Sequence, residues 1–443
     1  MGIQKLTGWR KEVQEKSLSE VHSSIDVPRG GTFWRKMLAF TGPGLMVSVG
    51  YMDPGNWATD LAGGAQFGYA LLSVILISNI FAIILQHLSL KLGIVAERDL
   101  AQACRDHYRP VPNFILWVLA EIAIAATDLA EVIGSAIALN LLFGIPMPVG
   151  ICITAFDVLV ILYFQQKGFR YIESLVAGLI FIILGCFAYE MAVSHPPIGA
   201  MMKGLMPTTE IIRNKEMLYI AIGILGATVM PHNLYLHSSI IQTRNYDRTS
   251  EGKKEAIKFA TIDSTVSLLL AFFINAAILI VSAAAFYGTE HQNIADIHDA
   301  YHLLTPVLGA TMASTFFAIA LLAAGQNATL TGTLSGQIVM EGFLHIKIRP
   351  WLRRMITRLI AIIPALIVSL MYGEDGIGEL LVLSQVILSL QLSFAVVPLV
   401  LFTSNKLKMG QFVNPVWLKY LVGLIAGIII ILNGWLLYQT FFG

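Results

Sequence analysis

The sequence predicts an all-α integral membrane protein of eleven spanning helices, built as two inverted five-helix halves with one helix added. Three observations carry this. Only 13% of the 443 residues are charged while 56% are hydrophobic, with mean hydropathy +0.71, whereas a soluble domain carries about 25% charged residues. Lysine and arginine are sorted onto alternate loops. Two long apolar runs are each broken by one pattern, Asp53-Pro54-Gly55-Asn56 and Met230-Pro231-His232-Asn233.

Apolar runs long enough to cross a bilayer, about 20 residues each, begin near positions 39, 70, 114, 148, 172, 218, 258, 306, 356, 379 and 416. Eleven crossings from a cytoplasmic N-terminus put 26 of the 29 Lys and Arg residues on inner segments and leave Lys203, Arg213 and Lys215 outside. Inner loops carry the positive excess in membrane proteins, so the expected topology is N-terminus cytoplasmic and C-terminus external, in the cell membrane. Losing or adding one span would scramble the sorting. Residues 1–38 are polar and mixed in charge, with no apolar core followed by small residues, and read as a cytoplasmic tail without a cleavable signal. Phe33 to Lys36 are expected at the interface. His87 and Lys91, near the inner end of the second span, read as interfacial anchors.

Spans one to five occupy 39–191 and spans six to ten occupy 218–402, separated by an external linker, 192–217, that contains Pro196, Pro197 and Pro207. Five is odd, so the second half enters the membrane in the opposite sense to the first. The two breaks then become equivalent under a two-fold axis in the membrane plane. Residues 403–443 form an inner loop and an unpaired eleventh span.

The breaks locate the chemistry. Proline donates no N–H, so the carbonyl four residues earlier loses its helical partner. For Pro54 that carbonyl belongs to Gly50, and for Pro231 to Ala227. A carboxylate and a histidine inside spanning segments are costly unless they line a working cavity, and paired broken helices in two halves mark the binding site of a secondary transporter. Asp53 supplies a charge, Asn56 an amide oxygen, Gly50 and Ala227 freed carbonyls, and Met230 a thioether. Oxygens alone suit hard cations; the sulfur tilts the set toward transition metals. His232 titrates near neutral pH and makes a proton the obvious second ion.

At these residues the chain resembles the NRAMP divalent metal transporters. The resemblance rests on Asp53 through Asp60, Met230 through Ser238, Thr127 through Glu131, and the stretch Gly325-Gln326-Asn327-Ala328-Thr329-Leu330-Thr331-Gly332 continuing to Gly342. It runs from about residue 40 to 400 and is strongest toward the bacterial manganese-uptake branch. It implies a LeuT-type fold and proton-coupled uptake of Mn²⁺, Fe²⁺ and related ions, bound by the side chains of Asp53, Asn56 and Met230 and the carbonyl of Ala227. The Gly50 carbonyl is implied in some conformations; the family often has alanine there, which is expected to matter little for a backbone ligand. Gln385 matches a glutamine implicated in closing the site from outside. The metal is substrate and the proton coupling ion, so no resident cofactor is expected, nor a nucleic acid or obligate protein partner.

Glu121, Asp128 and Glu131 lie in the third span at spacings of seven and three, within about 80° of one helix face. Two readings stay open: a structural ion-pair network with Arg353, Arg354 and Arg358, or a proton path leading inward from Asp53 and His232. His237 is a candidate extension of that path. Within transport the rival is a Na⁺-coupled amino-acid carrier on the same fold, and beyond it a cation channel. Phosphate loops, zinc-protease motifs and nucleophile elbows are absent from the sequence, so no enzyme is expected. Cys104, Cys152 and Cys186 are too dispersed for a disulfide framework or a metal cluster.

Overall fold

Proline and glycine punctuation sets the helix ends. The computed structural model describes residues 8–10, 16–156, 167–292, 297–309, 312–346, 349–372 and 375–442. After a two-residue strand β1 (Ile25–Asp26) and helix α1 (Phe33–Phe40), the first span is split. Helix α2 (Pro43–Val49) ends in a 3-10 turn, Gly50–Met52, and α3 (Pro54–Phe67) resumes it. Helices α4 (Leu72–Ala96), α5 (Leu100–His107), α6 (Pro110–Phe143), α7 (Met147–Ile153) and α8 (Phe169–Ser194) complete the first half.

The second half repeats the split as α9 (Lys215–Thr228) and α10 (Pro231–Ile240). It continues through β2 (Arg244–Asn245), α11 (Ser250–Phe286), α12 (Ile297–Leu308), α13 (Ala313–Leu344), α14 (Pro350–Tyr372) and α15 (Asp375–Thr403). The short α16 (Lys406–Met409) leads to α17 (Val416–Phe442). Eight helices among the described residues are long and apolar enough to cross a membrane. The shorter apolar segments 147–156 and 355–371 and the interrupted α2–α3 pair complete the eleven.

The eighth span departs from the sequence expectation. The apolar run beginning near 306 is two helices, because Gly309 adopts φ +66° and closes α12. Thr305 and Ser314 then bond reciprocally across the joint, hydroxyl to hydroxyl at 2.9 Å and Ser314 N–H to the Thr305 hydroxyl at 3.2 Å. The span therefore starts at Ala313. Lys91 also departs from its reading as an interfacial anchor: it is buried and donates to the side chain of Asn414. His87 is half-buried and bonds Thr261 at 2.9 Å.

At the core, α6 lies along α13 and α15, α3 along α11, and α9 along α15. The interrupted helices are thereby enclosed: Asp53 through Ala62 and Leu218 through Thr243, apart from half-buried Tyr219, are buried. The described part of the N-terminal segment is woven into one face. Trp9 is 3% exposed between the Lys408 ammonium, 3.4 Å from its ring centroid, and the Arg98 guanidinium at 4.7 Å. Leu18 N–H donates to Glu341 at 3.0 Å, and β1 pairs in parallel with β2.

Candidate metal-binding site

Asp53 has extended backbone (φ −72°, ψ 165°) and caps α3, with Pro54 at the first helical position, where its missing N–H is harmless. Its Oδ1 accepts the Asn56 backbone N–H at 2.9 Å and the Asn56 amide at 2.6 Å. Capping occupies only half of the carboxylate: Oδ2 is buried and accepts no hydrogen bond. At the second break Val229 (φ −101°, ψ 73°) and Met230 (φ −70°, ψ 124°) leave the helical region, and Pro231 starts α10.

The predicted oxygens converge on one point. The Asn56 amide nitrogen donates to the Gly50 carbonyl at 3.3 Å, the Ala227 carbonyl at 3.1 Å and Asp53 Oδ1. A single partly positive NH₂ thus sits where two freed carbonyls and a carboxylate meet. The Asn56 side-chain Oδ1 accepts from the Asn275 amide of α11 at 3.3 Å, and Asn275 also donates to the Tyr51 backbone carbonyl at 2.8 Å. Around the breaks, Asp53 Oδ2, Thr228 Oγ1, Asn233 Oδ1, Asn275 Oδ1 and Gln385 Oε1 are all buried oxygens without a hydrogen-bond partner. Each such group costs about 1–3 kcal/mol when left unpaired; a cation satisfies several at once. Met230 is fully buried, clustered with Ala123 and Leu388. Among the described residues no three His, Cys, Asp or Glu side chains gather as a metal-holding group, so carbonyl and amide oxygens have to make up the set.

Close approach at two glycines closes this point. A methyl at Gly55 would overlap the Gln385 amide, and one at Gly226 would meet the Gln385 carbonyl. Gln385 therefore plugs the space between α3, α9 and α15. Beyond it, toward the end of the molecule bearing Lys215 and Glu379, the same three helices line a cavity of about 910 Å³ whose walls include Ala62, Ile220 and Val382. At the other end, Asp263 accepts the Gly44 N–H at 2.7 Å, and Arg244 joins Glu173 at 2.7 Å while donating to the Thr41 carbonyl at 2.8 Å. The expectation that residue type at Gly50 matters little needs correcting. A Cβ there would overlap the Asn233 amide, so alanine would force that side chain to turn.

The three acids of α6 lie beside α13 and α14. His232 is 3.4 Å from the Thr127 hydroxyl and interacts electrostatically with neighbouring Asp128. Glu131 accepts from Thr329 at 3.1 Å and from Arg358 at 3.3 Å; Arg358 also donates to Thr329 at 2.9 Å. Glu121 takes both contacts of Arg353, at 3.0 and 3.1 Å. The Arg354 side chain lies outside the described residues. The glycines of the 325–342 stretch make the room: a methyl at Gly332 would stand 2.7 Å from Glu131 Oε1 and 3.5 Å from Asp128 Oδ1, and one at Gly336 would overlap Arg353. His237 stands apart from these acids. It bonds Gln86 at 2.9 Å, which donates to the Tyr51 hydroxyl at 2.9 Å, one residue from Gly50.

Sequence reasoning missed Asn275 and Gln86, which touch the site or its neighbours. Asn275 was detectable by the rule that singled out Asp53, as a polar residue in the apolar run Phe272-Phe273-Ile274-Asn275-Ala276-Ala277.

A family model described as natural resistance-associated macrophage protein-like matches residues 44–439. The divalent metal cation transporter MntH of Listeria monocytogenes is 62% identical over 432 residues, covering 98% of this chain and 96% of that one. A crystal structure of the Eremococcus coleocola manganese transporter, in complex with an aromatic bis-isothiourea substituted compound, is 43% identical with a TM-score of 0.87, covering 95% of this chain and 90% of that one. Mhp1, a nucleobase-cation-symport-1 family transporter, shares the fold alone, at 15% identity and a TM-score of 0.56 over 90% of this chain and 93% of its own. The architecture is thus the LeuT-type inverted repeat with both halves opening on a broken helix.

Proposed function

The chain belongs to the Nramp family, and from that premise we propose that it carries divalent transition metal ions, Mn²⁺ first, into the cell together with protons by alternating access. It is a membrane transport protein rather than an enzyme. The observation that carries the reading is the meeting of the Gly50 and Ala227 carbonyls and Asp53 on the Asn56 amide nitrogen. A hydrogen-bond donor there stands in for a cation. Turning the Asn56 amide through a half-rotation replaces donor by oxygen, so that Asp53, Asn56, the two carbonyls and the Met230 thioether surround the metal. The Na⁺-coupled amino-acid reading is disfavoured because Asp53 would face the substrate's own carboxylate.

The coupling proton moves through His232, Asp128 and Glu131, with Glu121 further along α6; Arg353 pairs with Glu121 and Arg358 with Glu131 along that route. Gln385 closes the external side, and the cavity beyond it is the approach from outside. The face bearing the N-terminal segment is cytoplasmic and the C-terminus external, in the cell membrane. Residues 39–191 and 218–402 are the two repeats, and α17 stands outside them.

The test is uptake by proteoliposomes across a panel of Mn²⁺, Fe²⁺, Co²⁺, Cd²⁺ and Ca²⁺ at two pH values, with a pH dye in the lumen. Metal entry acidifies the lumen, and Asp53→Ala abolishes Mn²⁺ uptake without loss of folding. Attraction between a carboxylate and a dication in a partly desolvated site is worth several kcal/mol, and Asp53 is the only formal charge in the set. Near-normal uptake by Asp53→Ala would place the metal elsewhere.

A further inference from the structure

The offset that aligns the breaks (230 minus 53) also pairs Asn56 with Asn233. Asn56, in the first half, donates across to the Ala227 carbonyl of the second. Asn233 makes the reverse reach. From α10 its amide nitrogen donates to the Val47 carbonyl of α2 at 3.3 Å, and the same amide packs against Gly50. The side chain is fully buried and its Oδ1 accepts no hydrogen bond. The two halves therefore exchange asparagines, each amide bonding backbone at or near the other half's break. Helix α2 has seven residues, too few to hold itself as a helix. Its start is tied by Asp263 to Gly42 and Gly44, and Asn233 ties its last turn to α10.

We propose that Asn233 is a positioning residue of the transport cycle. It latches the end of α2 to α10, aims the Gly50 carbonyl at the metal, and releases before α2 moves aside to free the ion to the cytoplasm. This rests on the function proposed above. One neutral amide-to-carbonyl bond biases an open-to-closed ratio by about threefold to tenfold, a range that opens in every cycle yet governs which state dominates.

The experiment reads the latch without metal. In a Cys152→Ser background, which removes the exposed thiol and leaves buried Cys104 and Cys186, Ser48→Cys places a reporter at a buried position of α2. A membrane-impermeant thiol reagent is applied from the cytoplasmic side of oriented vesicles. Adding Asn233→Ala raises the labelling rate by about threefold to tenfold. Asn233→Asp, which keeps the shape but loses the donor, does the same and serves if the alanine variant fails to fold. With the native Ser48, Asn233→Ala lowers kcat for Mn²⁺ about tenfold while KM stays within about threefold, whereas Asn56→Ala raises KM. Unchanged labelling overturns the latch, and loss of Mn²⁺ binding in Asn233→Ala overturns it in favour of a direct ligand. Failure of the wild type to carry Mn²⁺ would instead count against the proposed function, and the labelling would still decide the latch.

Discussion

Gly332→Ala tests how tightly the acids of α6 are seated. The added methyl would stand 2.7 Å from Glu131 Oε1, about 0.7 Å inside ordinary contact, and Thr329 lies one helical turn before it on the same face of α13. A carboxylate that retreats from residue 332 retreats from Thr329 as well. Their 3.1 Å bond then lengthens past hydrogen-bonding range. A bond to a charged group contributes about 1.5–3 kcal/mol; if the helix yields instead, overpacking costs about 1–3 kcal/mol. Either way the expected penalty is about 2 kcal/mol, and Glu131 no longer lines up with Arg358. The assay pairs an unfolding midpoint with simultaneous Mn²⁺ uptake and lumen acidification. The midpoint should fall, and protons carried per metal should drop on the order of tenfold, with Mn²⁺ affinity little changed. An unchanged midpoint together with unchanged proton flux would refute the crowding argument. A lower midpoint with normal coupling would leave Glu131 a structural partner of Arg358.

Two further outcomes follow from the site and from the N-terminal segment. Met230→Ala should weaken Mn²⁺ about tenfold, or about 1.4 kcal/mol, hit the softer Cd²⁺ hardest, and let excess Ca²⁺ compete, because every remaining donor is an oxygen; rejection of Ca²⁺ as good as wild type would move selectivity to site size or dehydration. Burial, then Lys16 at 2.8 Å and Arg248, push His22 down to about 4, while a detached segment titrates near 6.5. The released form alone takes up a proton between those values, so the attachment of residues 16–27 is full above pH 6.5 and weakens as pH falls toward 4. Amide exchange of that stretch, corrected for intrinsic rate, should quicken between pH 7 and 5 in the wild type and stay level in His22→Gln.

Much of this was legible because proline's chemistry is local. Pro54 and Pro231 dictate which carbonyls are freed, and the Gly50 and Ala227 carbonyls do meet at Asn56. The periodicity of Glu121, Asp128 and Glu131 likewise predicted a shared face. What stayed hidden depended on partners remote in sequence. Asn275 stands out as a polar residue in an apolar run, but its partner Asn56 lies 219 residues away, and the run does not specify that pairing. The role of Gly332 and Gly336 as room for carboxylate and guanidinium could not be read from one helix alone. Trp9 read as part of a cytoplasmic tail because the Arg98, Phe402 and Lys408 that enclose it come from two places remote from it in sequence, the α4–α5 loop and the α15–α16 junction.

That enclosure has a consequence for biosynthesis. Lys408 donates to the Gly8 carbonyl across 400 positions of sequence, so the segment around Trp9 docks against a stretch that is made 400 residues later. Until residues 402–408 have been made, Trp9 lacks the Phe402 ring and the Lys408 ammonium that cover it. Non-local contacts of this kind form late and leave apolar surface uncovered meanwhile. Seating of Trp9 therefore reports that the α15–α16 junction is in place, and a chain stopped before Phe402 would leave Trp9 with Arg98 but with neither Phe402 nor Lys408.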